Sequence, residues 1–216
     1  LGVVRRLHLE AQSYGRLARD LTPRGAWERP SIRSDSAVAA ALRRAALTRY
    51  DSVLVLHASH AGALFESGAL LERLGDVESA KARLRRLVAA DSGHALAMNY
   101  LAYTIVEQDS LERGPDEMEE AGELLRRALA LEPENGAYLD SKGWWHYRLG
   151  AADSAVAWLA RADHATPGDP AILEHLALAH HARGDRAAAC AAWRRLRALD
   201  PATTVRLPCP APEATR

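Results

Sequence analysis

The sequence predicts an all-α fold, a right-handed α-solenoid of stacked helix-turn-helix hairpins. Three observations carry that expectation. Small residues recur at fixed places with a period of about 34 residues. A glycine falls where the first helix of a unit would end, and a Pro or Ser falls where the second would end.

Taken in order, residues 1–35 read as an N-terminal helix, over 3–21, and a loop at 22–30 containing Pro23, Gly25 and Pro30. Residues 36–60 read as one degenerate repeat helix, with Val38, Leu42, Ala45, Ala46, Tyr50, Val53 and Leu54 on one broad stripe. Four repeats then fill 61–203, at 61–94, 95–135, 136–169 and 170–203. The first places Gly68, Gly75, Ala80, Leu84, Leu87 and Ser92 in phase with Gly143, Gly150, Ala155, Leu159, Ala162 and Pro167 of the third. The fourth supplies Ala177, Gly184, Ala189, Trp193, Leu196 and Pro201. The second keeps Leu101, Ala102, Ala121, Leu125, Ala128 and Pro133 but carries about seven extra residues within 108–116, whose Gly114-Pro115 pair and charged flanks read as an exposed loop.

Glycine inside a helix costs about 1 kcal/mol relative to Ala, so Gly68 and Gly143 imply close helix contact. Gly75, Gly150 and Gly184 sit where a helix ends with φ > 0, Asp76 and Asp185 are expected N-caps of the helices that follow, and Pro133, Pro167 and Pro201 stop the second helices. Residues 204–216, with Pro208, Pro210 and Pro212, form a Pro-rich extended tail. Val205 and Leu207 are expected to fold back over Trp193, unless a partner does so. Cys190 reads as a small buried residue on a helix and Cys209 as part of a flexible tail. They are expected to be unbridged, a bond between them requiring an oxidising compartment.

Lys plus Arg and Asp plus Glu are equal, 28 against 28, so no net field draws the chain to nucleic acid or anionic lipid. The Leu1–Val4 run is too short for a signal core or a membrane span, and a start at Leu rather than Met reads as a fragment or processed product. His175, His180 and His181 lie at helical angles that do not converge on an ion, and His57 with His60 at i, i+3 lacks an evident third ligand. No nucleophile elbow, zinc-protease helix, dinucleotide fingerprint or phosphate loop is present. No cofactor, metal or catalytic site is expected.

The period and its small residues identify the chain as a member of the tetratricopeptide repeat superfamily. Asn99-Tyr-Leu-Ala-Tyr103, then Asp140-Ser-Lys-Gly-Trp144 with Tyr147, Arg148 and Gly150, then His175-Leu176 with Gly184 and Trp193, further resemble the C-terminal repeats of Gram-negative tetratricopeptide lipoproteins. The resemblance covers about residues 61–203. It implies a bacterial scaffold or adaptor, periplasmic or associated with the outer membrane, since one such lipoprotein is the adaptor of a periplasmic carboxyl-terminal processing protease; without it the chain reads as cytoplasmic. Lys142 departs from the usual Leu, Ala102 and Ala177 replace Gly, and no lipobox cysteine is present.

In that superfamily the first helices line a concave groove. Mapped here, the groove positions are Phe65, Glu72 and Arg73; Asn99, Tyr103 and Glu107; Asp140, Trp144, Tyr147 and Arg148; Glu174 and His181. Tyr, Trp and Arg are the residues that dominate interface energetics. Asn99 and Asp140 could pair with peptide N–H groups. A Lys/Asn clamp for a peptide carboxylate is not visible. Trp144→Ala is expected to weaken partner binding by about 2 kcal/mol with little change in melting temperature. The alternative at each place is structural: Trp144 and Tyr103 as half-buried core, Asn99 as a cap or inter-repeat bond, and Phe65 as packing. The function expected is a protein-interaction scaffold holding a peptide or protein segment. Its rival is the accessory region of a larger enzyme, and self-association is a third possibility.

Overall fold

The computed structural model describes residues 2–20, 37–109, 113–114 and 116–209. The loop expected at 22–30, most of the insertion after Asp109, and Pro210 and Pro212 lie outside the described residues. Within them every regular element is a helix: α1 Gly2–Asp20, α2 Ala37–Leu56, α3 Ala61–Arg73, α4 Val77–Ala90, α5 Ala95–Glu107, α6 Glu117–Leu131, α7 Gly136–Arg148, α8 Ala152–Ala165, α9 Pro170–Arg183 and α10 Arg186–Leu199. They form two compact units, Leu1–Ile105 and Val106–Arg216.

In the first unit α1 packs on α2, with the His8 and Tyr50 rings 5.7 Å apart and Arg49 3.4 Å from Glu10. The buried stripe of α2 is Ala39, Arg43, Ala46, Tyr50, Val53 and Leu54. Val38, expected on that stripe, is 59% exposed. Ala46, Tyr50, Val53 and Leu54 of the expected stripe are buried, and the face is completed at its N-terminal end by Ala39 and a buried arginine, which hydrophobicity alone does not place there. The α3–α4 hairpin turns at Gly75, φ 86°, and Asp76 caps α4 by accepting from Ser79 N–H at 3.2 Å. Arg83 reaches back from α4 to donate to Ser67 Oγ at 2.8 Å and to the Asp51 carboxylate. Imidazoles take the cap positions of both first helices here: His60 Nδ1 accepts from Ala63 N–H at 3.1 Å and His94 Nδ1 from Ala97 N–H at 3.2 Å.

In the second unit Asn135 and Asp169 take the corresponding cap positions of α7 and α9. Turns at Gly150, φ 76°, and Gly184, φ 85°, join α7 to α8 and α9 to α10. The α7–α8 hairpin is tight at Gly143, where a Cβ would stand 2.5 Å from Leu159 Cγ. Trp145 packs on Gly122 of α6 and donates its indole N–H to Met118 O at 2.8 Å. Trp158 packs against the cluster of Leu139, Ala162 and Ile172.

Two expectations are corrected here. Gln108, placed in an exposed loop, is buried, and its carbonyl accepts from Arg148 at 3.0 Å. Cys209 is bonded to Cys190, with Cα atoms 5.5 Å apart. The chain after α10 doubles back beside that helix: Trp193 donates its N–H to Val205 O at 3.1 Å, and Leu207 packs on the cluster around Ala179 and Ala192. A return of the chain over Trp193 was legible; that it carries Cys209 to Cys190 was not, because the sequence does not specify the path of a non-helical segment.

Candidate protein-binding surface

In the second unit the first helices α7 and α9 lie side by side and build a three-ring stack. Trp144 of α7 stacks on Tyr147, centroids 4.6 Å apart and 10° from parallel, one turn along the same helix. Its other face stacks on His175 of α9, at 4.1 Å and 16°. The indole N–H of Trp144 donates to Glu107 Oε1 at 2.6 Å, and His175 Nδ1 lies 2.9 and 3.1 Å from the two oxygens of Asp140. Burial by itself lowers the His175 pKa, but the charge of Asp140 and its hydrogen bond, with Glu107 and Glu174 further off, outweigh it and raise the value above the ordinary 6.5. Asp140 and His175 are thus a buried hydrogen-bonded pair in which Asp140 favours the charged imidazole.

The burial of these residues differs from what the repeat pattern predicts. Trp144 is 6% and Asp140 7% exposed, so neither side chain lies open to a ligand: the indole is filled on both faces and the carboxylate is taken by His175. Tyr147, Arg148 and Glu174 are half-buried and form the accessible part of this face. Arg148 is anchored to the backbone at Gln108. His181 is exposed on α9 and stands apart from the stack, beside Gly184, Arg186 and Leu207 at the far end of that helix. His175 and Gln108 are the members that the sequence pattern missed. Residue 175 follows 140 by one repeat plus one residue, which could have revealed the first.

The remaining expected residues belong to the first unit. Phe65 is half-buried, stacked on His94 at 5.9 Å and edge-on to Tyr100 at 5.5 Å, as its packing alternative requires. The Tyr100 hydroxyl donates to Glu72 at 3.3 Å; burial first, then the Glu72 charge, hold it protonated far above the usual phenol range. Asn99 and Tyr103 are one turn apart on α5. The Asn99 side-chain oxygen is buried without a hydrogen-bond partner, and Tyr103 is 37% exposed. Lys142, the departure from the usual Leu, covers the Trp145 ring at 3.9 Å, and burial lowers its pKa. No group of three or more metal-ligating side chains occurs among the described residues, and no helix among them is long and apolar enough to cross a membrane.

Residues 62–93 match the family model of the tetratricopeptide repeat. A TPR repeat-containing protein of Pseudomonas aeruginosa is 32% identical over 113 residues, which is 52% of this chain and 18% of that protein. Residues 62–93 thus carry a tetratricopeptide repeat, and the chain around them is similar to proteins built of such repeats. Solved tetratricopeptide structures give the same fold, an all-α solenoid of helix hairpins. A thermophilic TPR protein of Thermus thermophilus aligns with TM-score 0.66 and 23% identity over 89% of this chain and 92% of that one. PilW, a widely conserved type IV pilus biogenesis factor, aligns with TM-score 0.69 and 16% identity over 90% and 79%. MamA aligns with TM-score 0.61 and 18% identity over 91% and 100%. This repeat fold supports a protein-interaction scaffold.

Proposed function

We propose that the second unit holds a peptide or protein segment across the α7–α9 face, with Tyr147 as its contact ring and Arg148 and Glu174 as flanking charges. The observation that carries this reading is the three-ring stack. Trp144, His175 and Asp140 fill the wall behind Tyr147 and fix its ring before any partner arrives, so binding loses little side-chain entropy on this side. Trp144 and Asp140 therefore act as supports rather than as the gripping groups themselves. On the first unit the exposed ring of Tyr103 offers a smaller contact patch, and the Asn99 side-chain oxygen one turn away lies buried behind the surface. The role is that of a bacterial scaffold or adaptor, and its chemistry is binding only.

The test compares partner capture from a cell extract by the wild type, by Tyr147→Ala and by Arg126→Ala, the last changing an exposed residue of α6. Loss of a large aromatic anchor is expected to weaken binding by about 2 kcal/mol. Tyr147→Ala should lose the captured protein while remaining folded and cooperative in melting, and Arg126→Ala should retain it. Equal capture by both variants would show that the α7–α9 face is not the docking surface.

A further inference from the structure

We propose that residues 203–209 are a disulfide-latched cap over the last hairpin, closed in an oxidising compartment and opened by reduction of Cys190–Cys209. In a repeat array each hairpin buries one side against the next. Among the described residues no helix follows α10, and the returning segment covers its side instead. Four separate contacts seat it. Thr203 is buried, Trp193 donates to Val205 O at 3.1 Å, Arg186 donates to Pro208 O at 2.7 Å, and Leu207 lies on the apolar cluster that includes Leu176, Ala179 and Ala192. The covalent link then closes the end of the segment onto α10.

Without that link the seat is weak. Residues 203–209 form no helix or strand, so the backbone order of seven residues rests on a few hydrogen bonds and one leucine, too little to offset the chain entropy lost. The bond also explains why the only two cysteines of the chain lie where they do: Cys190 is buried on α10 and Cys209 sits in the half-exposed strap. Opening is an ordinary exchange. A thiolate of a dithiol reductant attacks Cys209 Sγ, the Cys190 thiolate leaves and takes a proton, and the second thiol of the reductant resolves the mixed disulfide. Two electrons and two protons pass to the cysteines, and the reductant ends as its own disulfide. The released strap uncovers the side of Trp193 and the cluster beneath Leu207.

The experiment uses the full chain, purified in air, and reads thiol alkylation by mass together with tryptic cleavage after the exposed Arg206. The oxidised protein is expected to take up no iodoacetamide and to resist cleavage there. Dithiothreitol should yield two alkylated cysteines and speed cleavage after Arg206 at least tenfold, with sites in α3 and α4 unaffected. Cys209→Ser, which leaves every helix unaltered, should behave as the reduced protein without any reductant. Two free thiols in the air-purified protein would overturn the proposal, and so would equal cleavage after Arg206 in the oxidised, reduced and Cys209→Ser forms.

Discussion

Trp144 has a neighbour on every side that counts: Tyr147 on one face, His175 on the other, and Glu107 at its N–H. Truncating a buried aromatic to Ala costs about 3–5 kcal/mol. Trp144→Ala is therefore expected to lower the melting temperature of the second unit by about 10 °C or more, read by calorimetry, whereas Trp144→Phe should lose less because the stack survives. An unchanged melting temperature would return Trp144 to the open groove that the repeat pattern assigns it. The pattern was legible as far as it is local. Position on α7 follows from the period, and so does the adjacency of Trp144 and Tyr147, one turn apart. Burial depends on residues roughly one repeat away, Glu107 and His175, and a repeat template states which way a helix face points without stating whether a neighbour fills it. Asp140 illustrates the same limit, since its partner lies on a different helix.

At the scale of the helix, turn and cap residues mark the boundaries. Glycine at the turns takes positive φ at Gly75, Gly150 and Gly184, and Asp76 and Asp185 cap the helices that follow. Those features depend on a few adjacent residues, which is why the sequence discloses them. The stripe of α2 needed tertiary information, because Arg43 is buried there and Val38 is not. Gly68 and Gly143 separate by magnitude. Alanine gains about 1 kcal/mol of helix propensity over glycine, while overpacking a tight contact costs about 1–3 kcal/mol. At Gly143 a Cβ would meet Leu159 Cγ at 2.5 Å and the Leu159 backbone nitrogen at 3.1 Å, so the helix itself would have to move. At Gly68 the nearest atom is Leu84 Cγ at 3.1 Å, with Leu84 Cδ2 at 3.4 Å. Gly143→Ala should thus destabilise by about 1–2 kcal/mol in urea melts, and Gly68→Ala should be close to neutral. Equal losses at both positions would show that the α7–α8 and α3–α4 hairpins approach equally closely.

For the molecule as a whole, two histidines, His8 of the first unit and His175 of the second, respond to pH with opposite signs. In the first unit burial, then the neighbouring His60, lowers the pKa of His8, with Glu66 acting weakly the other way; Tyr50 and Gln12 are its other close neighbours. A histidine held below its ordinary value of 6.5 takes up its proton more readily when unfolded, so the first unit loses stability as pH falls below about 6.5. In the second unit burial lowers the pKa of His146 and of His180 as it does that of His8, and His175 moves the other way. Faced by Asp140, Glu107 and Glu174, His175 has a folded value above 6.5, so its contribution is complete below about 6.5 and is lost as pH rises through the folded value. Hydrogen exchange, corrected for intrinsic rates, should show protection of α1–α3 falling from pH 7 to 5 and that of α7 and α9 falling from pH 7 to 9. His8→Gln should blunt the acid loss and His175→Gln the alkaline one, each in its own unit. If His175→Gln leaves the alkaline loss intact, the Asp140–His175 pair is neutral, and the wall behind Tyr147 is held by the ring stack without a charge on the imidazole.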